Sequence, residues 1–278
     1  MTSSSAAGPA APAFGVVGLG RMAQAMLLPL LEAGLVERSA VRAAVASAAS
    51  AERLADRHGI TVTTSPDQAW RAPLVVLAVK PQQLEAAAAA AGPAAASPEA
   101  DGAVLISVLA GVTLARLQAL FPGWRCVRAV PNTPALVRAG LTGLAFAPAV
   151  DHDQRCRVRE LFSLVGAVHE LPETQLDAFL ALTSSGPAFV AVVAEAMADG
   201  AVAAGLPRQL AHRLAHRTLA GTAALLEGQE LHPAALKDMV SSPGGTTIAG
   251  LRQLEHRGVR SGLIEAVVAA AERSRELA

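Results

Sequence analysis

Short apolar runs alternate with segments of helical period over residues 14–171. FGVVG, VRAAVAS, ITVTT, LVVLAV, AVLISVLA, CVRAV and LTGLAFA read as strands, being short, apolar and bounded by polar or turn-forming residues. Helical spacing fits between several of them, notably over 21–33, 51–58 and 113–120, and the alanine run 86–91 is the body of another helix. Residues 92–101, with two prolines, read as a surface loop. This alternation predicts an α/β fold with a mostly parallel, doubly wound sheet. After residue 173 the pattern becomes helical almost to the end, over 173–184, 187–204, 208–227, 233–240, 248–258 and 261–277. Gly186-Pro187 and Gly205-Leu206-Pro207 punctuate those helices. An all-helical second domain follows, and its long apolar helices carry more hydrophobic surface than one small domain covers, which points to burial against a second subunit.

Composition fits this two-part plan: 278 residues, 52% hydrophobic and 17% charged, are enough for a full α/β domain and a smaller partner. A formal net charge of +0 argues against nucleic-acid or anionic-membrane binding, which normally shows a basic stripe. The most apolar stretch, 189–206, contains Glu195 and Asp199, so it reads as a buried helix of a soluble protein rather than a membrane span. Cys126 and Cys156 stand in no metal or redox spacing; both read as structural, and a reducing cytoplasm is the simplest compartment. The opening MTSSSAAGPAAPA lacks a basic segment and an apolar core of signal-peptide length, and reads as a disordered tail.

Residues 14–34 combine a β-rich run, Gly18, Gly20 and Ala23 in a G-x-G-x-x-A pattern, and a helical repeat. That is the order a dinucleotide requires: Gly18 for the tight turn, Gly20 where the pyrophosphate approaches, Ala23 for close helix–strand packing. After the second strand, an NAD site usually places an acidic residue for the ribose hydroxyls, whereas this chain has Ser47-Ala48-Ala49-Ser50 and then Arg53. The substitution favours NADP, with hydroxyls for the extra phosphate and Arg53 as either a counter-charge or an exposed helix residue. Ala78-Val79-Lys80-Pro81 ends one strand, with Lys80 open to a surface or a cofactor role, and Ala110-Gly111 follows the next, leaving room for a flat ring. RAVPNTP, residues 128–134, reads equally as a structural turn or as part of the same cleft.

LKDMVSSPGGTTIAGLRQLE, residues 236–255, sets Ser241, Ser242, Pro243, Gly244, Gly245, Thr246 and Thr247 before an apolar-periodic helix. Ser and Thr oxygens there are expected to cap the helix, with the remaining N–H groups and the dipole favouring a carboxylate or phosphate; an ordinary capped loop is the alternative. His212 and His216 share a helix face but lack a third ligand, so a solvated face is the better reading and no metal site is assigned. The chain has no tyrosine, which leaves Thr, Ser, Lys, Glu, Asp, His or water as proton source.

Taken together, VGLGRMAQAM, LAVKPQ, SVLAGVTL, RAVPNTPAL, LTSSGPAF and the 236–255 segment resemble the pyrroline-5-carboxylate reductase family, in order and over nearly the whole chain. The resemblance implies NAD(P)H-dependent reduction of the cyclic imine L-pyrroline-5-carboxylate to L-proline, the last step of proline biosynthesis. It implies NADPH as cofactor, with NADH possible, and a cytoplasmic homodimer formed through the helical domain, from which larger assemblies are commonly built. The expected divisions are a tail over 1–13, a Rossmann domain over 14–172, and a helical substrate-binding and dimerisation domain over 173–278. Gly18, Leu19, Gly20, Arg21, Met22, Ser47, Ala78, Val79, Lys80, Pro81, Ala110 and Gly111 would hold the dinucleotide. Ser242, Thr246 and Thr247 would hold the substrate carboxylate and ring nitrogen, with Glu173 and Glu230 nearby. Thr247 is the expected catalytic contact to the imine nitrogen; an unactivated hydroxyl is a poor acid, so it orients the substrate while the imine arrives protonated or takes its proton through water.

Three positions depart from the family's usual pattern: Thr183-Ser184-Ser185-Gly186-Pro187-Ala188-Phe189 lacks a glycine and a tyrosine hydroxyl, Ser65-Pro66-Asp67 lacks an asparagine, and Arg21 replaces another. They leave room for a related cyclic imine, such as a piperideine carboxylate or a substituted pyrroline. A β-hydroxy-acid dehydrogenase is disfavoured because Lys80 and Lys237 are the only lysines, neither on the interdomain helix. A non-catalytic NADP-binding regulator would not retain SSPGGTT.

Overall fold

The computed structural model describes residues 13–93 and 102–277. The expected tail, but for its last residue, and most of the loop expected over 92–101 lie outside the described residues. Eight strands form one sheet: β1 Phe14–Val17, β2 Val41–Ala44, β3 Thr61–Thr63, β4 Leu74–Leu77, β5 Val104–Ser107, β6 Arg125–Val130, β7 Gly140–Phe146 and β8 Gly166–Glu170. Their spatial order is β3-β2-β1-β4-β5-β6-β7-β8. All neighbouring pairs are parallel except β6 and β7. β1, β4 and β5 are buried along their whole length, which is why they read as unbroken apolar runs rather than as alternating ones.

The helices of this sheet unit are α1 Arg21–Glu32, α2 Ala48–His58, α3 Asp67–Trp70, α4 Leu84–Ala91, α5 Leu114–Leu120, α6 His152–Ser163 and α7 Leu176–Thr183. α1 buries Ala23, Leu27, Leu30 and Leu31, one face of a helix laid on the sheet. α2 is capped by Ser47, whose hydroxyl accepts from the Ser50 N–H, and it ends at Gly59 in the left-handed conformation. Beside the sheet, Trp70 stacks on Phe121 at 5.4 Å and meets Trp124 edge-on at 5.7 Å.

The sequence pattern did not announce β8, α3 or α6. β8, GAVHE, is an edge strand with no fully buried residue, so it carries no apolar run. α6 is polar over most of its surface and buries only Val158 and Phe162. Its start was nevertheless written in the chain as a capping box, Asp151 accepting from Gln154 N and Gln154 accepting from Asp151 N.

Two structural units divide after Ser184, later than the expected boundary at 172/173, and the first unit regains the chain from Ala271 onward. The reason lies in α7, whose Leu176 and Ala181 are fully buried. At Gly143 of β7 an added Cβ would stand 2.8 Å from Phe179 and 2.9 Å from Leu176, so the helix sits directly on the strand. The second unit contains α8 Gly186–Ala203, α9 Arg208–Gly228, α10 Pro233–Met239, α11 Thr246–His256 and the first part of α12 Val259–Glu276. Its own core is a seam of Ala198, Ala211 and Ala215. The expectation that 189–206 is buried is therefore corrected for the single chain: α8 buries only Ala194 and Ala198, while Val190 is 53% and Val192 66% exposed. One neighbouring helix covers only one stripe of a helix whose apolar residues lie on more than one face.

Gly166 has φ +147, and a Cβ there would lie 1.9 Å from the Gly140 carbonyl oxygen. Gly166→Ala is expected to lower stability by about 2–3 kcal/mol. Urea unfolding checks this, and an unchanged midpoint would show that the β7–β8 edge absorbs the methyl group.

Candidate functional site

The chain leaves β1 toward β2 and β3 on one side of the sheet, then returns to β4 on the other. The loops after β1 and β4 therefore part, and a crevice opens at the carboxyl ends of the strands. A cavity of about 750 Å³ occupies it. Gly18, Leu19, Gly20, Arg21, Ser47, Ala78, Val79 and Lys80, all expected to hold the dinucleotide, line this one cavity.

Its two glycines do different work. Gly18 has φ +93, and a Cβ would fall 2.7 Å from the Ala78 carbonyl; the turn and the adjacent strand end leave no space for a side chain. Its N–H donates to the Ala44 carbonyl at 2.9 Å and Ala78 N–H donates to Val17 at 2.8 Å, which fixes the three strand ends together. A Cβ on Gly20, by contrast, meets nothing within 4 Å. Gly20 is also the N-cap of α1 and supplies no side-chain cap, so the N–H groups of that first turn are available to an anion.

At the far side, Ser50 and Arg53 of α2 line the cavity together with Arg57. Arg57 was missed in the sequence, although it stands one helical turn beyond Arg53 and so shares its face. Burial first, and then the Arg57, Arg38 and Arg53 charges, lower the pKa of the His58 imidazole from its ordinary value, which disfavours a further positive charge beside this basic group. His58 Nε2 lies 3.2 Å from Gln24 Oε1, and Gln24 Nε2 donates to the Leu19 carbonyl at 3.1 Å, tying the end of α2 to the glycine loop. Open glycine, helix start, hydroxyls and guanidinium groups fit a dinucleotide carrying an additional phosphate.

Met22, Pro81, Ala110 and Gly111 do not line that cavity. Gly111, at φ +72, instead passes the chain's final helical turn, where a Cβ would stand 2.7 Å from the Leu277 carbonyl oxygen. Glu173 belongs to the sheet unit and its carboxylate is engaged there: Oε1 accepts from the Leu114 N–H at 2.6 Å and lies 3.3 Å from Arg128 Nη1. RAVPNTP is a structural turn, because buried Asn132 donates to the Thr183 carbonyl at 2.9 Å and accepts from Leu141 N at 2.8 Å. Cys126 is buried, which pushes its thiol up to about 12 and keeps it unreactive.

In the second unit, α11 begins at Thr246, two residues before the expected 248. The expected side-chain capping is corrected as well: Gly245 is the N-cap and no side chain caps the helix, while the Ser241 hydroxyl donates back to the Lys237 carbonyl at 2.7 Å. Gly244 turns the chain at φ +66, and a Cβ on Gly245 would fall 2.3 Å from Ser242 Oγ. Glycine at 245 thus lets the Ser242 hydroxyl stand over the helix start. Thr246 and Thr247 form its first turn, and the donors that side chains leave unused suit an anionic group better than a fully capped end would. Glu230 follows α9 in a left-handed conformation, φ 49.

Residues 173–277 match the family model described as pyrroline-5-carboxylate reductase dimerisation, and residues 13–111 match one described as NADP oxidoreductase, coenzyme F420-dependent. The pyrroline-5-carboxylate reductase of Synechocystis is 43% identical over 95% of this chain and 97% of its own length. Among solved structures, the Coxiella burnetii pyrroline-5-carboxylate reductase is 31% identical with a TM-score of 0.85, over 96% of this chain and 99% of its own. The Plasmodium falciparum pyrroline carboxylate reductase, solved with NADP bound, is 26% identical with a TM-score of 0.86, over 97% of this chain and 99% of its own. Likeness of that degree, running from the glycine loop to the last helix, makes this chain a member of the pyrroline-5-carboxylate reductase family.

Proposed function

We propose that this chain reduces the carbon–nitrogen double bond of L-pyrroline-5-carboxylate with NADPH, forming L-proline. The observation that carries the reading is the full-length likeness to relatives of that name, at 43% identity in one case. Both candidate sites supply chemistry the reaction needs. The dinucleotide, when bound, supplies the hydride that reduces the imine carbon. Gly18 and Gly20 shape the loop that admits its pyrophosphate, and Ser47, Ser50, Arg53 and Arg57 meet the additional phosphate, favouring NADPH over NADH. Ser242 and Thr246, with the N–H groups of the α11 start, hold the substrate carboxylate. The Thr247 hydroxyl orients the ring nitrogen, which takes its proton in solution or through water. Glu230 serves as a further polar contact of the substrate loop, whereas Glu173 acts through the sheet unit to which it is bonded.

The chain works as a homodimer through its helical region, in the cytoplasm. Exposed Val190, Val192, Ile264 and Val268 give that assembly an apolar face, and the match to a dimerisation model over 173–277 supports it. By length and composition alone, the segment 173–203 is long and apolar enough to cross a membrane. A break between α7 and α8 at Ser184-Ser185 and the acidic Glu195 and Asp199 favour a protein partner as the cover instead.

The direct test follows NADPH oxidation with pyrroline-5-carboxylate beside a six-membered piperideine carboxylate, repeated with NADH. Turnover is expected to be fastest with the five-membered ring and NADPH; turnover of the larger ring alone would overturn the substrate assignment. Gly20→Val is expected to fold normally, since its side chain meets no protein atom within 4 Å. It should nevertheless weaken NADPH binding more than about a hundredfold by filling the pyrophosphate approach, and equal affinity by titration calorimetry would refute the loop's role. Thr247→Ala is expected to lower kcat/KM by about 10- to 100-fold while NADPH affinity stays unchanged; steady-state kinetics beside a binding isotherm separate the two.

A further inference from the structure

A second arrangement in the sheet unit takes no direct part in either site. Arg128 on β6 is 2% exposed, with Nη1 3.3 Å from Glu173 Oε1 and Nη2 3.1 Å from Asp177 Oδ1. Each carboxylate has one further partner. Glu173 accepts from the Leu114 N–H at 2.6 Å, and Asp177 accepts from the Ser274 hydroxyl at 2.8 Å. Leu114 is the first residue of α5, and Ser274 lies in the last turn of α12.

These bonds converge on one loop. The segment between β5 and α5 starts at Ser107, whose register partner across the sheet is Arg128. It ends at Leu114, which Glu173 holds, and midway a Cβ added at Gly111 would stand 2.7 Å from the carbonyl oxygen of Leu277, three residues beyond Ser274. A buried ion cluster adds little net stability compared with apolar residues of similar volume, so stability alone does not account for it. Its geometric effect is definite, because one guanidinium fixes both the end of the loop and the helix turn pressed on its middle.

We propose that Arg128 is a positioning residue, which through Glu173, Asp177 and Ser274 sets the Val108–Thr113 loop at the carboxyl end of β5 for the nicotinamide half of NADPH. Neither Arg128 nor Ser274 lines the dinucleotide cavity. This inference rests on the NADPH-dependent reading above, and it makes the adenine and nicotinamide halves of the cofactor separately sensitive.

The test measures binding of NADPH and of 2′-phospho-ADP-ribose, which lacks the nicotinamide, by titration calorimetry on the full-length protein. Wild type, Ser274→Ala, Ser274→Thr and Arg128→Lys are compared, with circular dichroism to confirm folding. In Ser274→Ala the NADPH Kd is expected to rise about three- to tenfold while the fragment's stays within twofold. Ser274→Thr, which keeps the hydroxyl, should restore the wild-type value, and Arg128→Lys, which cannot bridge both carboxylates, should exceed the Ser274→Ala effect. Unchanged NADPH affinity in Ser274→Ala, or equal weakening of NADPH and fragment, would overturn the positioning role and leave the cofactor assignment intact. Failure of the wild type to bind either ligand would overturn the cofactor assignment itself, and this proposal with it. Should Arg128→Lys fail to fold, the Ser274 pair decides alone.

Discussion

Everything at the dinucleotide cavity depends on how closely the ends of β1 and β4 pass each other. Gly18 turns with its α-carbon so near Ala78 and Val79 that any side chain would collide with their backbone. Backbone bonds from Gly18 to Ala44 and from Ala78 to Val17 lock the three strand ends in step. Only then do the following segments diverge, one into α1 and the other toward Lys80, leaving a crevice whose lining includes Ser47, Arg53 and Arg57. The cavity is thus a product of strand order, and its polarity a product of the few side chains that strand order delivers to it.

What could be read from the chain was local. Strand, glycine turn and helix follow one another within residues 14–32, so their chemistry is legible without knowing the fold. Ser47 and Arg53 were legible for the same reason. The edge strand β8 and helix α6 were not, because they bury too little for periodicity to show. The bonding of Glu173 was illegible for another reason: its partner Arg128 lies 45 residues away, and nothing in the neighbourhood of either residue advertises a pairing across the fold. The seryl and threonyl residues at 241–247 were correctly placed at a helix start, but their bonding was not, since Gly245 rather than a hydroxyl residue occupies the cap. Their positions followed from helix grammar, whereas their hydrogen bonds depend on the turn made at Gly244.

The two units are stabilised in different ways. The sheet unit has a continuous apolar core in which Leu77, Leu105, Ile106 and Val127 are fully buried, and it carries its polar exceptions, Arg128 and Asn132, with partners from other elements. The helical unit buries little beyond alanines, while Leu214, Ile248, Leu254 and Leu263 remain in the open. Small residues along the α8–α9 seam let two backbones approach, but contribute little apolar area. Association of such a face in the homodimer proposed above would make the integrity of this unit depend on protein concentration in a way that the sheet's does not.

The hydrogen bond from Ser274 to Asp177 joins residues 97 positions apart, which has a kinetic meaning. Closing a flexible span of that length costs about 4 kcal/mol of chain entropy, and the cost falls as the intervening helices form and draw the ends together. The entropic cost of bringing the last turn of α12 to Asp177 is therefore lower once the insertion between them is ordered, which ties completion of the sheet unit to the state of the helical one.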